Sequence, residues 1–202
     1  MLDRILAGVD RSLAYKLMLA HVVIIALSNY LVQFKFNILG HPLAAAAFTF
    51  PLVVVLTDLT VRLIGKETGR AVVNLAFIPA VLVSMAVVKL GGAPDTVALR
   101  IGLGSGIAYF ISNLLDVYVF QYFRERFSSW WIAPALSCVV STFIDTYVFF
   151  FTAFAYGANE FMAANWHVIA TNNSWAKILV SLLVILPSYG LLLNWLQNKV
   201  KT

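Results

Sequence analysis

Three carboxylates stand in surroundings that rarely tolerate them. Asp58, Asp116 and Asp145 each sit inside a long apolar run. Where such a run crosses a bilayer, a charge near the centre costs roughly 2.5–3.5 kcal/mol. It is kept when it faces a water-filled cavity, a partner of opposite charge or a substrate. Other polar groups accompany the three at helical spacing. Ser137, Ser141 and Asp145 recur at every fourth residue, and Phe149 extends the row. Asn113 and Asp116 are three apart, with Phe120 four further on. Asp58 and Arg62 are four apart, the spacing of an acid–base pair on one helix face. That pair reads either as a structural ion pair or as a gate. Lys177 shares a face with Ser181, and Asn29 with Gln33. Polar stripes on five helices predict a common polar interior.

The elements that must carry these groups are set by composition. The chain has 202 residues, of which 61% are hydrophobic and only 11% charged. Soluble domains carry about 25% charged residues. The deficit predicts an all-α membrane protein with six transmembrane helices in a compact bundle. The spans are expected at Tyr15–Gln33, Ala44–Ile64, Ala71–Leu90, Val97–Tyr122, Trp131–Tyr156 and Trp175–Leu196. Pro51, Pro79 and Pro187 fall inside them, and Pro51 and Pro187 are expected to kink their helices. Pro134, in a first turn, is harmless. No short apolar stretch is followed by a small-residue cleavage site, so no cleavable signal peptide is expected.

Nine basic residues (Arg4, Arg11, Lys16, Lys66, Arg70, Arg124, Arg126, Lys199, Lys201) fall on one side, and Lys35 and Lys89 on the other. This bias predicts that both termini are cytoplasmic. It also accounts for the net charge of +5 without nucleic acid. Trp130, Trp131, Trp166, Trp175 and Trp195 lie near the expected interfaces. Residues 1–13 are expected to form an amphipathic interfacial segment, with Leu2, Ile5, Leu6, Val9 and Leu13 on one face. Residues 14–197 form a single six-helix transmembrane domain and 198–202 a cytoplasmic tail. Phe161, Met162, Asn165, Trp166 and Ile169 predict a second helix lying on the membrane, after which Asn172, Asn173 and Ser174 cap the last span.

Some groups have plainer readings. Arg100 and Lys177 lie near helix ends, where long side chains reach the headgroups. His21 reads as a packed neutral histidine, and the lone Cys138 as a small packing residue. Gly102 and Gly106 have the spacing of close helix packing. Asp145 has no basic residue within one turn, so its partner lies on another helix or is a substrate. No metal-ligand spacing and no activated nucleophile appear, so neither an enzyme nor a cofactor is expected. Asp58-Leu59-Thr60-Val61 and Asp145-Thr146-Tyr147-Val148 share an Asp-x-(Thr/Tyr)-Val pattern in the second and fifth spans. That correspondence fits two inverted three-helix halves.

Several segments, taken in order, carry a resemblance. They are Ser28-Asn29-Tyr30-Leu31-Val32-Gln33, Phe50-Pro51, Thr57-Asp58-Leu59-Thr60-Val61-Arg62, Ile78-Pro79-Ala80, Leu115-Asp116-Val117-Tyr118-Val119-Phe120, Trp130-Trp131-Ile132-Ala133-Pro134, Asp145-Thr146 and Pro187-Ser188-Tyr189-Gly190. Together they resemble the queuosine-precursor transporters of the vitamin-uptake-transporter family, over nearly the whole chain. The resemblance implies a bacterial inner-membrane importer of 7-cyano-7-deazaguanine, or of its aminomethyl relative, for tRNA modification. It implies a bundle similar to the substrate-capture subunits of energy-coupling-factor importers.

A guanine-like base presents two adjacent donors, which one carboxylate accepts together. On that resemblance Asp145 or Asp116 is the acceptor. Asn29, Gln33 and Asn113 complete the polar contacts, and Tyr118, Phe149 or Tyr189 stacks on the base. Asp58, Arg62 and Lys177 gate or couple. The alternative is a capture subunit that docks on an ATPase module. Ala14, Ala20 and Ala26 lack the Ala-x-x-x-Ala spacing of such docking, so no ATPase module is expected. The partners are then the deazaguanine and the lipid bilayer, and a homo-oligomer stays open.

Overall fold

A computed structural model describes residues 5–31, 34–38 and 41–201. Gln33 lies outside the described residues, as do Leu2 and Arg4. Among the described residues, six helical spans are long and apolar enough to cross a membrane. They are α1 (Arg11–Leu31), α2 (Ala46–Leu63), α3 (Lys66–Leu90), α4 (Asp95–Arg126), α5 (Ile132–Phe154) and the rod formed by α6 (Glu160–Val180), a π-helical turn (Ser181–Ile185) and α7 (Leu186–Lys201). Two short antiparallel strands join α1 to α2: β1 (Lys35–Ile38) pairs with β2 (His41–Ala44), Lys35 opposite Ala44. This hairpin is an addition to the all-helical expectation.

Local chemistry sets the helix ends. Asp10 starts α1, its Oδ1 accepting from the Leu13 N–H at 3.1 Å. Gly8, at φ 73°, turns the chain just before it. Part of the expected interfacial segment, residues 1–4, lies outside the described residues, and Leu6 is buried against Ala14, Ala71 and Val72. Between α2 and α3 the Ile64 and Gly65 N–H groups both donate to the Thr60 carbonyl. Gly65, at φ 129°, makes that tight reversal possible.

The last span differs from expectation. Asn159 caps α6, accepting from the Met162 N–H at 3.0 Å, and the helix runs through Asn172 to Ser174 without interruption. No Gly or Pro stands between Glu160 and Val180 to stop it. Asn173 donates back to the Ile169 carbonyl and Ser174 is buried, so neither caps a helix. The expected irregularity at Pro187 takes the form of the π turn. The Leu186 N–H donates to Ser181, one residue further back than in an α-helix. The proline ring cannot sit against the Leu183 carbonyl in a regular helix, and the wider turn removes that clash.

The bundle is apolar on its outside and carries polar groups among the apolar residues of its core. Leu19, Val23, Ile78, Leu82, Leu183 and Leu191 face outward. Inside are the three aspartates, Asn113, and the hydroxyls of Ser112, Ser137, Ser141 and Thr57. Small residues bring the backbones together, as the glycine spacing predicts. A Cβ on Gly106 would stand 2.1 Å from Val81 Cγ2 and 3.2 Å from Val81 Cα, and one on Gly102 would stand 2.1 Å from Met85 Cγ. Overpacking of this kind costs about 1–3 kcal/mol. Gly106→Val is expected to lower the thermal unfolding midpoint in detergent, followed by tryptophan fluorescence. An unchanged midpoint would show that α3 and α4 are not in this contact.

Candidate substrate-binding site

Asp145 lies half-way along α5, on the row that Ser137 and Ser141 begin. Its partner comes from the last span. The Lys177 ammonium is 3.3 Å from Asp145 Oδ2 and donates to Thr146 Oγ1 at 3.2 Å. The Lys177 and Asp145 side chains are only 15% and 12% exposed. Lys177 turns inward because its stripe on α6 includes the buried Ser174 and Ile178, while Trp175 and Leu179 face outward. The ammonium also sits 4.5 Å from the Phe50 ring centroid, an attraction of charge for the ring face. On the opposite side, Ser112 donates to Asp145 Oδ1 at 3.4 Å.

Asn113 completes this cleft. Thr57 donates to its Oδ1 at 3.2 Å, and its Nδ2 donates to the Tyr109 carbonyl at 3.0 Å. The cleft runs between α2, α4, α5 and α6, and its empty space is about 350 Å3 with its open mouth included. Phe50, Ser112 and Tyr109 belong to it without having been singled out as ligands. Phe50 precedes Pro51 in a segment that carries the family resemblance, and Ser112 neighbours Asn113. Those were the signals available.

A second cleft, of about 290 Å3, lies toward the end of the bundle that holds the 64–65 and 127–131 connections. It shares Pro51 and Val54 with the first as a common wall. Asp58, Cys138, Ser181 and Tyr189 line it. Asp58 Oδ1 accepts from Ser137 at 3.4 Å. Asp116 faces Asp58 from α4 and is fully buried, yet neither of its oxygens has a hydrogen-bond partner among the described residues.

The expected pairing of Asp58 with Arg62 is not the arrangement found. Arg62 donates to the Trp130 carbonyl at 2.9 Å, and its guanidinium lies 5.6 Å and 5.7 Å from the Phe120 and Tyr189 ring centroids. The acid and the base share a helix, but carbonyl and ring faces hold the guanidinium aside. Arg100 does not reach for headgroups. It donates to the Ala153 and Thr152 carbonyls at the end of α5.

The remaining expected contacts scatter. Asn29 donates to Ser84 at 2.7 Å and braces α1 against α3, outside both clefts. Tyr118 is on the outer surface, 41% exposed, beneath the Lys66 and Arg70 side chains. Phe149 packs on Phe150 and Phe154, one turn beyond the cleft. Tyr189 is buried in the second cleft, stacked on Trp130 at 6.4 Å. His21 is packed, its Nδ1 2.8 Å from the Tyr109 hydroxyl.

The family described as "Putative vitamin uptake transporter" matches residues 44–192. The chain belongs to this family. Two relatives extend the likeness over almost its whole length. "Queuosine precursor transporter" of Escherichia coli (strain K12) is 38% identical over 195 residues, 91% of this chain and 88% of the relative. "Probable queuosine precursor transporter" of Haemophilus influenzae is 33% identical over 204 residues, covering 90% and 86%. No solved structure matches the chain. This member of the vitamin-uptake-transporter family is therefore a multi-pass membrane protein. Helical spans in a family with such bacterial members place it in the inner membrane, since outer-membrane proteins span as closed barrels.

Within this transporter the Asp145–Lys177 contact has a definite energetic signature. Removing one partner of a buried pair leaves an uncompensated charge and costs roughly 3–5 kcal/mol. Lys177→Met and Asp145→Asn are each expected to lower the unfolding midpoint. The double variant is expected to be more stable than Lys177→Met alone. Strictly additive losses in that thermal series would mean that the two groups do not interact.

Proposed function

We propose that the protein imports a queuosine precursor, 7-cyano-7-deazaguanine or its aminomethyl relative, through the Asp145–Lys177 cleft. The names of both relatives support the substrate class. The Asp145–Lys177 pair beside Asn113 carries the assignment of the site. A guanine-like edge offers a carbonyl acceptor next to two donors. Asp145 accepts from both donors and Lys177 donates to the carbonyl, so the substrate takes over the bonds the two side chains make to each other. Each charge keeps a partner in both states. Asn113 adds a polar contact on the α4 side, and Phe50 offers a ring for stacking, worth about 1–3 kcal/mol for a base. An analogue without the donors leaves buried polar groups unpaired and is rejected.

Both termini lie in the cytoplasm on this reading, from the nine-to-two distribution of Lys and Arg. The Asp-x-(Thr/Tyr)-Val pattern that Asp58 and Asp145 share supports two inverted three-helix halves. The substrate crosses chemically unaltered and without an ATPase module.

Cells unable to make 7-cyano-7-deazaguanine are expected to accumulate the labelled compound when they carry this protein. Loss of a bidentate acceptor costs about 1–3 kcal/mol. Asp145→Asn, at equal membrane abundance, should therefore reduce uptake by roughly 10- to 100-fold. Uptake at the wild-type rate would remove Asp145 from the site. No uptake by the wild type would overturn the function.

A further inference from the structure

Chemistry that substrate recognition does not use stands at the wall of the second cleft. Asp58 on α2 and Asp116 on α4 are 1% and 0% exposed and face each other where Thr57 and Asn113 tie the two helices together. Among the described residues, no ion pair joins either to a cation. The charged and titratable groups around them are otherwise engaged. Arg62, one turn along α2, is turned to the Trp130 carbonyl and two rings. Arg124 of α4 donates to the Val61 carbonyl at 3.2 Å. Cys138 of α5 contacts Thr142, and Lys177 belongs to Asp145. Two further groups stand in that cleft. The Tyr189 and Ser181 hydroxyls are buried, have no hydrogen-bond partner among the described residues and belong to residues that line the space Asp58 lines.

Two carboxylates that face each other cannot both stay ionised in a low-dielectric interior. Something positive must lie between them. A metal cation of sodium's kind takes several oxygens, and transporters supply them from unwound backbone. Here α2, α4 and α5 are unbroken around the pair, and the Ser181–Ile185 turn that lines the cleft keeps its backbone in π-helical bonding. A proton needs only the two carboxylates. The geometry points to Asp58 and Asp116 as a binding site for one proton, carried inward with the substrate. The proton is held between the two oxygens, with the Tyr189 and Ser181 hydroxyls as its access route, and is released on the cytoplasmic side. No other bond is made or broken. This inference rests on the transport reading for its purpose, though not for the existence of the site.

Two measurements on the purified, lipid-reconstituted full chain test it. Infrared spectroscopy at neutral pH should show a protonated-carboxyl band that disappears in Asp58→Asn and equally in Asp116→Asn, because the pair shares one proton. The band should be insensitive to sodium. Its absence from the wild type, its persistence in both variants, or its loss on adding sodium overturns the site. In proteoliposomes with an internal pH dye, entry of 7-cyano-7-deazaguanine should acidify the lumen. The ratio of protons to substrate should fall at least tenfold in Asp116→Asn. Substrate entry at constant lumen pH overturns the coupling. If wild-type vesicles take up no substrate, the transport reading fails, and the infrared band alone decides the proton site.

Discussion

Lys177 reaches from the last span to Asp145, and much of the bundle follows from that contact. A carboxylate and an ammonium inside an apolar bundle are each costly alone. Together they neutralise one another, and Thr146, Ser112 and the Phe50 ring take up what remains. Four helices must approach closely for this to happen. The glycines of α4 let α3 draw near on one side of that helix, while Asn113 and Ser112 present its other side to the cleft. A pair that is satisfied internally would be satisfied again by a ligand with complementary donors and acceptor. A transporter needs such a balance, since its site must bind and then release.

α2 organises the two halves of the interior. Pro51 and Val54 form a wall common to both clefts, and Asp58 lies one turn further along. Motion of α2 would therefore change both clefts together. The π turn at Ser181–Ile185 lines the second cleft, directly after the stretch of α6 that carries Lys177. The last span is thus regular where it supplies the cation and irregular where it meets the aspartate pair. The two clefts are connected through these two helices.

Much of this was legible in the sequence. The six spans follow from apolar length, and the unusual standing of Asp145 follows from its isolation among apolar residues. What periodicity along one helix could not give was the partner, because Lys177 is 32 residues away and on another span. The same limit explains the Asp58–Arg62 reading. A spacing of four makes two side chains neighbours, but long arginine side chains choose among all acceptors within reach, and Trp130 arrives from a distant loop. Tyr118 lies outside both clefts for a simpler reason. It is two residues beyond Asp116, so it points away from the interior, toward Lys66 and Arg70. The α6 helix ran on where a break was expected because asparagines cap only where a helix begins. Inside one they bond back to their own turn.

The most direct test is a structure of the full chain in lipid with 7-cyano-7-deazaguanine bound. The account predicts the base between Phe50 and Asn113, with its two donors on Asp145, its carbonyl on Lys177 and the direct Lys177–Asp145 contact opened. A ligand bound elsewhere, with the Lys177–Asp145 contact still closed, would contradict it.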